Sequence, residues 1–318
     1  MSTGIGLPRE GVEGQHKGLD YDEWWPDSPP FVDGVSLLFI FILLWIAAWL
    51  ALFYFLRWLQ PIWMDRWQNS YKQHENDPNW CARNALGIVH AVLVAAISLP
   101  ALVIYLPAPT QAKFGASYHL ADCSLEKSQS DILHWDSAGR ATALAGLAFV
   151  SYTIADLILS YLHCLSRECQ WLHHGTYITA GLLIRFHCML PFNALMLMCM
   201  EASTPFLNYS VLFRHRDPAH EHSGTLNICT TVFLLTFVLF RLILNTYGAI
   251  FLCVNYKVAI PPWVPLYQYW LLMIAIVVGA LMQYNVVPIL IEVVKAGLRR
   301  SRRKLKERVE KFEDRMEA

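Results

Sequence analysis

The chain has 318 residues, of which 55% are hydrophobic and only 16% charged, with 25 basic residues balanced by 25 acidic ones. Soluble domains carry about 25% charged residues, so this composition excludes an ordinary water-soluble domain. No nucleic-acid partner is expected.

Residues 1–34 are polar and acidic, with Glu10, Glu13, Asp20, Asp22, Glu23, Asp27 and Asp33. They lack the basic start and short apolar core of a secretory signal peptide, so the first apolar span is expected to act as the targeting signal. Within them "LDYDEWWPDSPPFVDG" sets Trp24, Trp25 and Phe31 among prolines. That composition suits an interfacial anchor, because indole rings sit well at headgroup level; a peptide that plugs or gates the lumenal face is the alternative. Five apolar blocks follow, Val35–Leu56, Ala85–Leu106, Ala141–Leu162, Ile228–Val254 and Val264–Val287. Each reaches the roughly 20 residues needed to cross a bilayer. A sixth zone, Gly175–Met200, is interrupted by Arg185 and Pro191 and reads as two short or bent helices. The expected fold is therefore all-α, a polytopic membrane bundle of about seven transmembrane helices. The chain divides into an acidic segment (1–34), a first helix and loop (35–84), a membrane domain (85–293) and a basic tail (294–318).

Orientation follows the basic residues. The tail "KAGLRRSRRKLKERVEKFEDRMEA" packs seven of them between Arg299 and Arg308 and is expected in the cytosol. Seven spans then place the amino terminus in the lumen, whereas six would turn it inward. The loop Arg57–Asn84, including the tryptophan–arginine belt "RWLQPIWMDRW", becomes cytosolic. The loop Pro107–Arg140 becomes lumenal, and the sequon at Asn208 falls on the cytosolic side and stays unused. The tail either lies on the anionic leaflet or is a solvated stop-transfer segment. The eight cysteines read as reduced, structural residues. Cys123 stands alone, and Cys164 with Cys169 is too sparse for zinc.

An ionisable residue inside a span costs about 2.5–3.5 kcal/mol on insertion scales, so each needs a reason. Asp156 lies deep in the third span, on a helical stripe with Tyr152, Ser160 and His163. Arg185 interrupts the fourth span, Glu201 ends the fifth, and Arg241 lies mid-span one turn before Asn245. Two acids and two arginines neutralise one another if they face a common interior. Buried ion pairs that only fix packing, or side chains snorkelling from helix ends, are the alternatives. His173 and His174 stand together in "WLHHGTYITAG", near the cytosolic mouth of the fourth span. Neutral imidazole serves as a base or nucleophile and also ligates iron. The repeated HxxxH and HxxHH boxes of a di-iron oxidase are absent, so no metal is expected; haem bridging by His90 and His187 ranks lower still. Retinal needs a lysine inside the last span, but Lys257 and Lys295 flank it. The acid–arginine motif of a seven-span receptor is also missing.

Together these residues resemble the TLC domain, the membrane domain shared by ceramide synthases and the translocating-chain-associated membrane protein. The resemblance runs through Ala141–Val287, more loosely from Ala85. It rests on "SYTIADLILS", "WLHHGTYITAG", "MEASTPFLNYSVLF" and "NICTTVFLLTFVLFR", in that order. Ceramide synthases carry a histidine–aspartate about 28 residues beyond the histidine pair, where this chain has Met200-Glu201-Ala202-Ser203. It therefore resembles the branch outside the ceramide synthases.

That resemblance implies helices enclosing a central lipid-accessible cavity, in the endoplasmic reticulum, and a role in membrane lipid homeostasis. The enzyme it implies transfers a fatty acyl group from acyl-CoA to a lipid. His173 and His174 would attack or deprotonate, Asp156 would lie beside them, and Glu201 would orient an imidazole. Arg185, Arg241, Tyr152, Tyr177, Asn208 and Asn245 would bind substrate. No cofactor or metal is expected beyond acyl-CoA as co-substrate; the partners are membrane lipids and a second copy of the chain. The alternative is a non-catalytic lipid-binding, lipid-sensing or cargo-trafficking protein using the same cavity.

Overall fold

The computed structural model describes residues 33–64, 77–108, 113–114, 133–165, 170–187, 189–213, 223–259, 264–288, 290–292 and 294–295. The acidic amino-terminal segment with Trp24, Trp25 and Phe31, the basic run Arg299–Arg308, Cys123 and Cys169 lie outside them. Every described element is helical, as hydrocarbon demands of a chain that must satisfy its own backbone hydrogen bonds.

Helix α1 (Asp33–Met64) is long and almost uniformly apolar. Helix α2 (Pro78–Tyr105) begins at Asp77, whose carboxylate accepts the backbone N–H groups of Asn79 and Trp80 at 2.9 and 3.3 Å. Pro78 occupies the first turn, where its missing N–H costs nothing. Helix α3 (Leu133–Leu162) precedes α4 (Gln170–Phe186). A second arm follows, made of α5 (Pro191–Cys199), a 3-10 turn (Met200–Ser203) and α6 (Thr204–Phe213). Helix α7 (Ser223–Thr236) passes through a π-helical stretch, Phe237–Leu244, into α8 (Asn245–Val254). A short turn, α9 (Tyr256–Ala259), leads to α10 (Leu266–Tyr284).

Five of these stretches are long and apolar enough to cross a membrane: Leu38–Ile62, Pro78–Tyr105, Ala138–Leu162, Gly224–Val254 and Leu266–Tyr284. They fall on the five expected blocks. The sixth zone does divide into two helical arms, but not at Arg185. Helix α4 runs through Arg185, a good helix former, and stops at His187, before Pro191. Proline disfavours helical backbone in the residue before it, and Leu190 adopts a left-handed conformation with φ 56°. Glu201, expected at the end of the second arm, instead sits near its middle, in the 3-10 turn.

Helix α2 is the hub, packing against α1, α3, α5 and α6, while α4 bridges α3 and α10. Small residues let these helices approach closely: Ala82, Ala91, Ala145, Ala148, Ala155 and Ala180 are all buried. The outer faces of α1 and α10 present Leu43, Leu44, Trp58, Leu266, Ile274 and Leu281, side chains suited to lipid. Two ends of the bundle are defined by contacts. At one, Arg83 donates to the Leu165 carbonyl. At the other, the Leu190 N–H donates to the Phe114 carbonyl, and His187 meets Gln268.

Candidate functional site in the bundle interior

Asp156 is the best-held group in the interior. It is only 3% exposed, and it accepts Arg83 Nε at Oδ1 (2.6 Å) and Arg83 Nη2 at Oδ2 (2.8 Å). Gln170, the first residue of α4, donates Nε2 to Asp156 Oδ2 at 3.0 Å and to Ser160 Oγ at 2.9 Å. This fork-to-fork pairing is the strong form of an arginine–carboxylate contact, and it ties α2, α3 and α4 together. His174 approaches the same carboxylate: its Nε2 lies 3.6 Å from Asp156 Oδ2. Its Nδ1 lies 3.4 Å from the Thr153 carbonyl, which can only accept, so Nδ1 carries the hydrogen in that contact.

A second polar group surrounds Arg241, which the π-helical stretch carries. Wider turns of this kind are frequent at functional positions. Arg241 donates Nε to Ser203 Oγ and Nη2 to Thr204 Oγ1, both at 2.8 Å, and Nη1 to Gln283 Oε1 at 3.3 Å. Glu201 stands 3.8 Å from Nη2. The guanidinium is therefore solvated chiefly by neutral acceptors, with the carboxylate at longer range. The other Glu201 oxygen lies 3.9 Å from His90 Nδ1. His90 is 1% exposed and stacks face to face on Tyr152 at 3.7 Å. Neither of its ring nitrogens has a hydrogen-bond partner among the described residues.

Tyr177 joins the two groups. Its hydroxyl accepts Gln283 Nε2 at 2.6 Å and donates to the Gly279 carbonyl at 3.3 Å. His173 packs edge-on against its ring at 4.6 Å and touches the His174 ring at 5.5 Å. A continuous polar path thus runs from Arg83 and Asp156 through His174, His173, Tyr177, Gln283 and Arg241 to Glu201 and His90.

Of the residues expected at a site, the structure brings together Asp156, His173, His174, Tyr152, Tyr177, Glu201 and Arg241 along this path. Asn208 lies beside it, donating to the Asn84 carbonyl at 3.4 Å. Arg185 is buried but sits eleven residues beyond His174 on α4, about 16 Å away along the axis. Asn245 lines a separate cavity of about 20 Å³ with Tyr177 and Asn193, enough for one water-sized group. His163 stacks on Phe53 and meets the Tyr54 ring edge-on, both on α1. His90 and His187 have different partners at separate places, and no group of three or more His, Cys, Asp or Glu could hold a metal among the described residues.

Sequence reasoning misses three members of the path, Arg83, Gln170 and Gln283, and considers His90 only as a haem ligand. Arg83 falls in the expected loop Arg57–Asn84, whereas α2 begins at Pro78 behind its Asp77 cap. Gln170 and Gln283 are neutral amides and leave little mark on hydropathy.

The profile of the TLC domain family matches residues 88–287, from about three turns into α2 to just past the end of α10. No curated protein matches the chain, and no solved structure matches it. The match covers more than half of the sequence and contains the whole polar path except Arg83. The chain is a multi-pass membrane protein belonging to the TLC domain family.

Proposed function

We propose that this protein acts on membrane lipids, in the endoplasmic reticulum, by transferring a fatty acyl group from acyl-CoA to a lipid hydroxyl or amine, as a member outside the ceramide synthase branch. The carrying observation is the placement of His174 between the Thr153 carbonyl and Asp156. With hydrogen on Nδ1, Nε2 is the proton acceptor, and the carboxylate at 3.6 Å stabilises the imidazolium that forms. The acceptor loses its proton to Nε2, its oxygen or nitrogen attacks the thioester carbonyl, and the carbon–sulfur bond breaks. The departing thiolate takes the proton back from the imidazolium. Arg241, held by hydroxyls and an amide rather than by a tight carboxylate contact, suits a phosphate or oxyanion. On a seven-span reading, the histidine pair lies toward the cytosol, where acyl-CoA is found.

A second reading is favoured by a different observation. Both Asp156 oxygens already hold hydrogen bonds from Arg83 and Gln170, as in a static packing site. On that reading the protein binds or senses a lipid, or escorts cargo, without turnover. The deciding experiment incubates purified full-length protein with labelled acyl-CoA and total membrane lipid. A labelled product lipid that disappears with His174→Ala supports transfer; saturable lipid binding with no labelled product supports the second reading. A labelled adduct on His173 would make that residue the nucleophile instead.

A further inference from the structure

The small cavity beyond Tyr177 has a chemistry of its own. Its walls come from four elements: Tyr177 and Ile184 of α4, Asn193 of α5, Asn245 and Gly248 of α8, and Ile276 of α10. It is apolar apart from the tyrosine ring and the two asparagines, both more than nine-tenths buried. Asn193 donates its Nδ2 to the Gly248 carbonyl at 2.7 Å. A carbonyl can only accept, so this bond fixes the amide and turns Oδ1 the other way. That Oδ1 has no partner, and neither does Asn245 Nδ2. Asn193 and Asn245 both line the cavity, one with an orphan acceptor and the other with an orphan donor.

Two buried, unmatched polar atoms of opposite character are costly as they stand. A single O–H group answers both, donating to Asn193 Oδ1 while accepting from Asn245 Nδ2. The volume of about 20 Å³ takes one such group and little more, so the rest of its carrier must leave through the wall. Leu197, Ala249 and Ile276 on that wall are only partly buried.

The geometry points to a binding site for the hydroxyl of a mono-hydroxylated membrane amphiphile, a sterol or long-chain alcohol, held between Asn193 and Asn245. The site lies on the far side of Tyr177 from Asp156 and His174, and it does not depend on acyl transfer. A water molecule offers the same O–H chemistry from another source, and the test separates the two. Full-length protein in phosphatidylcholine nanodiscs is exposed to a photoactivatable, alkyne-tagged long-chain alcohol, to a tagged sterol, and to the methyl ether of each. Crosslinks are mapped by mass spectrometry. Saturable labelling of α5, α8 or α10 by an alcohol is expected, with the ethers about tenfold weaker for want of the donated hydrogen bond. Asn193→Leu and Asn245→Leu, similar in size, should each reduce that labelling about tenfold. Gly248→Ala, which narrows the cavity and displaces only the flexible end of Met196, should reduce it while leaving both asparagines in place. It serves as the second variant if a leucine variant does not fold. Equal labelling by alcohol and ether, labelling indifferent to all three substitutions, or no saturable labelling at all would mean that water alone fills the space and would overturn the proposal.

Discussion

Arg83 and Asp156 are 73 positions apart, yet two hydrogen bonds of 2.6 and 2.8 Å join them. The carboxylate is almost wholly buried and the guanidinium largely so. Removing one partner of such a pair leaves an uncompensated charge, whereas replacing both with apolar residues is often tolerated. Arg83→Ala is therefore expected to lower stability by about 3 kcal/mol. The double substitution Arg83→Met with Asp156→Leu should recover most of that loss. Thermal unfolding of the purified variants in detergent reads both; equal stability of Arg83→Ala and wild type would show that the pair holds nothing together.

His174→Ala should remove function without unfolding the protein. The ring's contacts are at 3.4 and 3.6 Å, too long to carry much stability, so a loss of about 1 kcal/mol or less is expected. The measurement is lipidomics of a knockout rescued at matched expression by wild type, His173→Ala or His174→Ala. Full rescue by both variants would make the pair structural.

Two glycines separate packing from propensity. A Cβ on Gly87 would collide with the Asn208 amide and come within 3.1 Å of the Tyr152 hydroxyl. Gly87→Ala should cost about 1–3 kcal/mol, as overpacked sites do. At Gly146, also helical, nothing lies within 4 Å, so Gly146→Ala should be neutral or add up to about 1 kcal/mol from helix propensity. Melting temperatures of the two variants should move in opposite directions, or only the Gly87→Ala value should fall.

Topology has its own test. The sequon at Asn208 should carry no glycan: its side chain donates to the Asn84 carbonyl, and its end of the arm is expected in the cytosol. An acceptor sequon added after Ala318 should also stay unmodified, while one placed within the expected lumenal stretch Pro107–Arg140 should be glycosylated. Gel mobility with and without endoglycosidase reads all three. A glycan at Asn208 would invert the arrangement.

The five long spans were legible because hydropathy accumulates along a contiguous run. The interior was legible only where charge marks it, at Asp156, Glu201 and Arg241, or where histidines double, at His173 and His174. What joins them was not. Gln170 and Gln283 are neutral and sit at helix margins, and Arg83 lies in "PNWCARN", a stretch too polar to read as membrane helix until its Asp77 cap is seen. The π-helical turns around Arg241 have no sequence signature, because nothing in "FVLFRLIL" forbids an ordinary α-helix. Arg185 is marked by its charge and is buried, but it stands in the last turn of α4 while the histidines stand in the first.

The family match begins at residue 88, but Trp49 of α1 donates its indole N–H to Ser151 at 3.1 Å and sets its ring edge against both His90 and Tyr152. The unit recognised by homology is thus smaller than the unit that closes. Transplanting only the homologous stretch onto another membrane anchor would strip the stacked His90–Tyr152 pair of its outer wall and open the polar interior to acyl chains. A swap that uses this chain is best cut before α1, because what a profile delimits as a module is, in this chain, a bundle missing one of its walls.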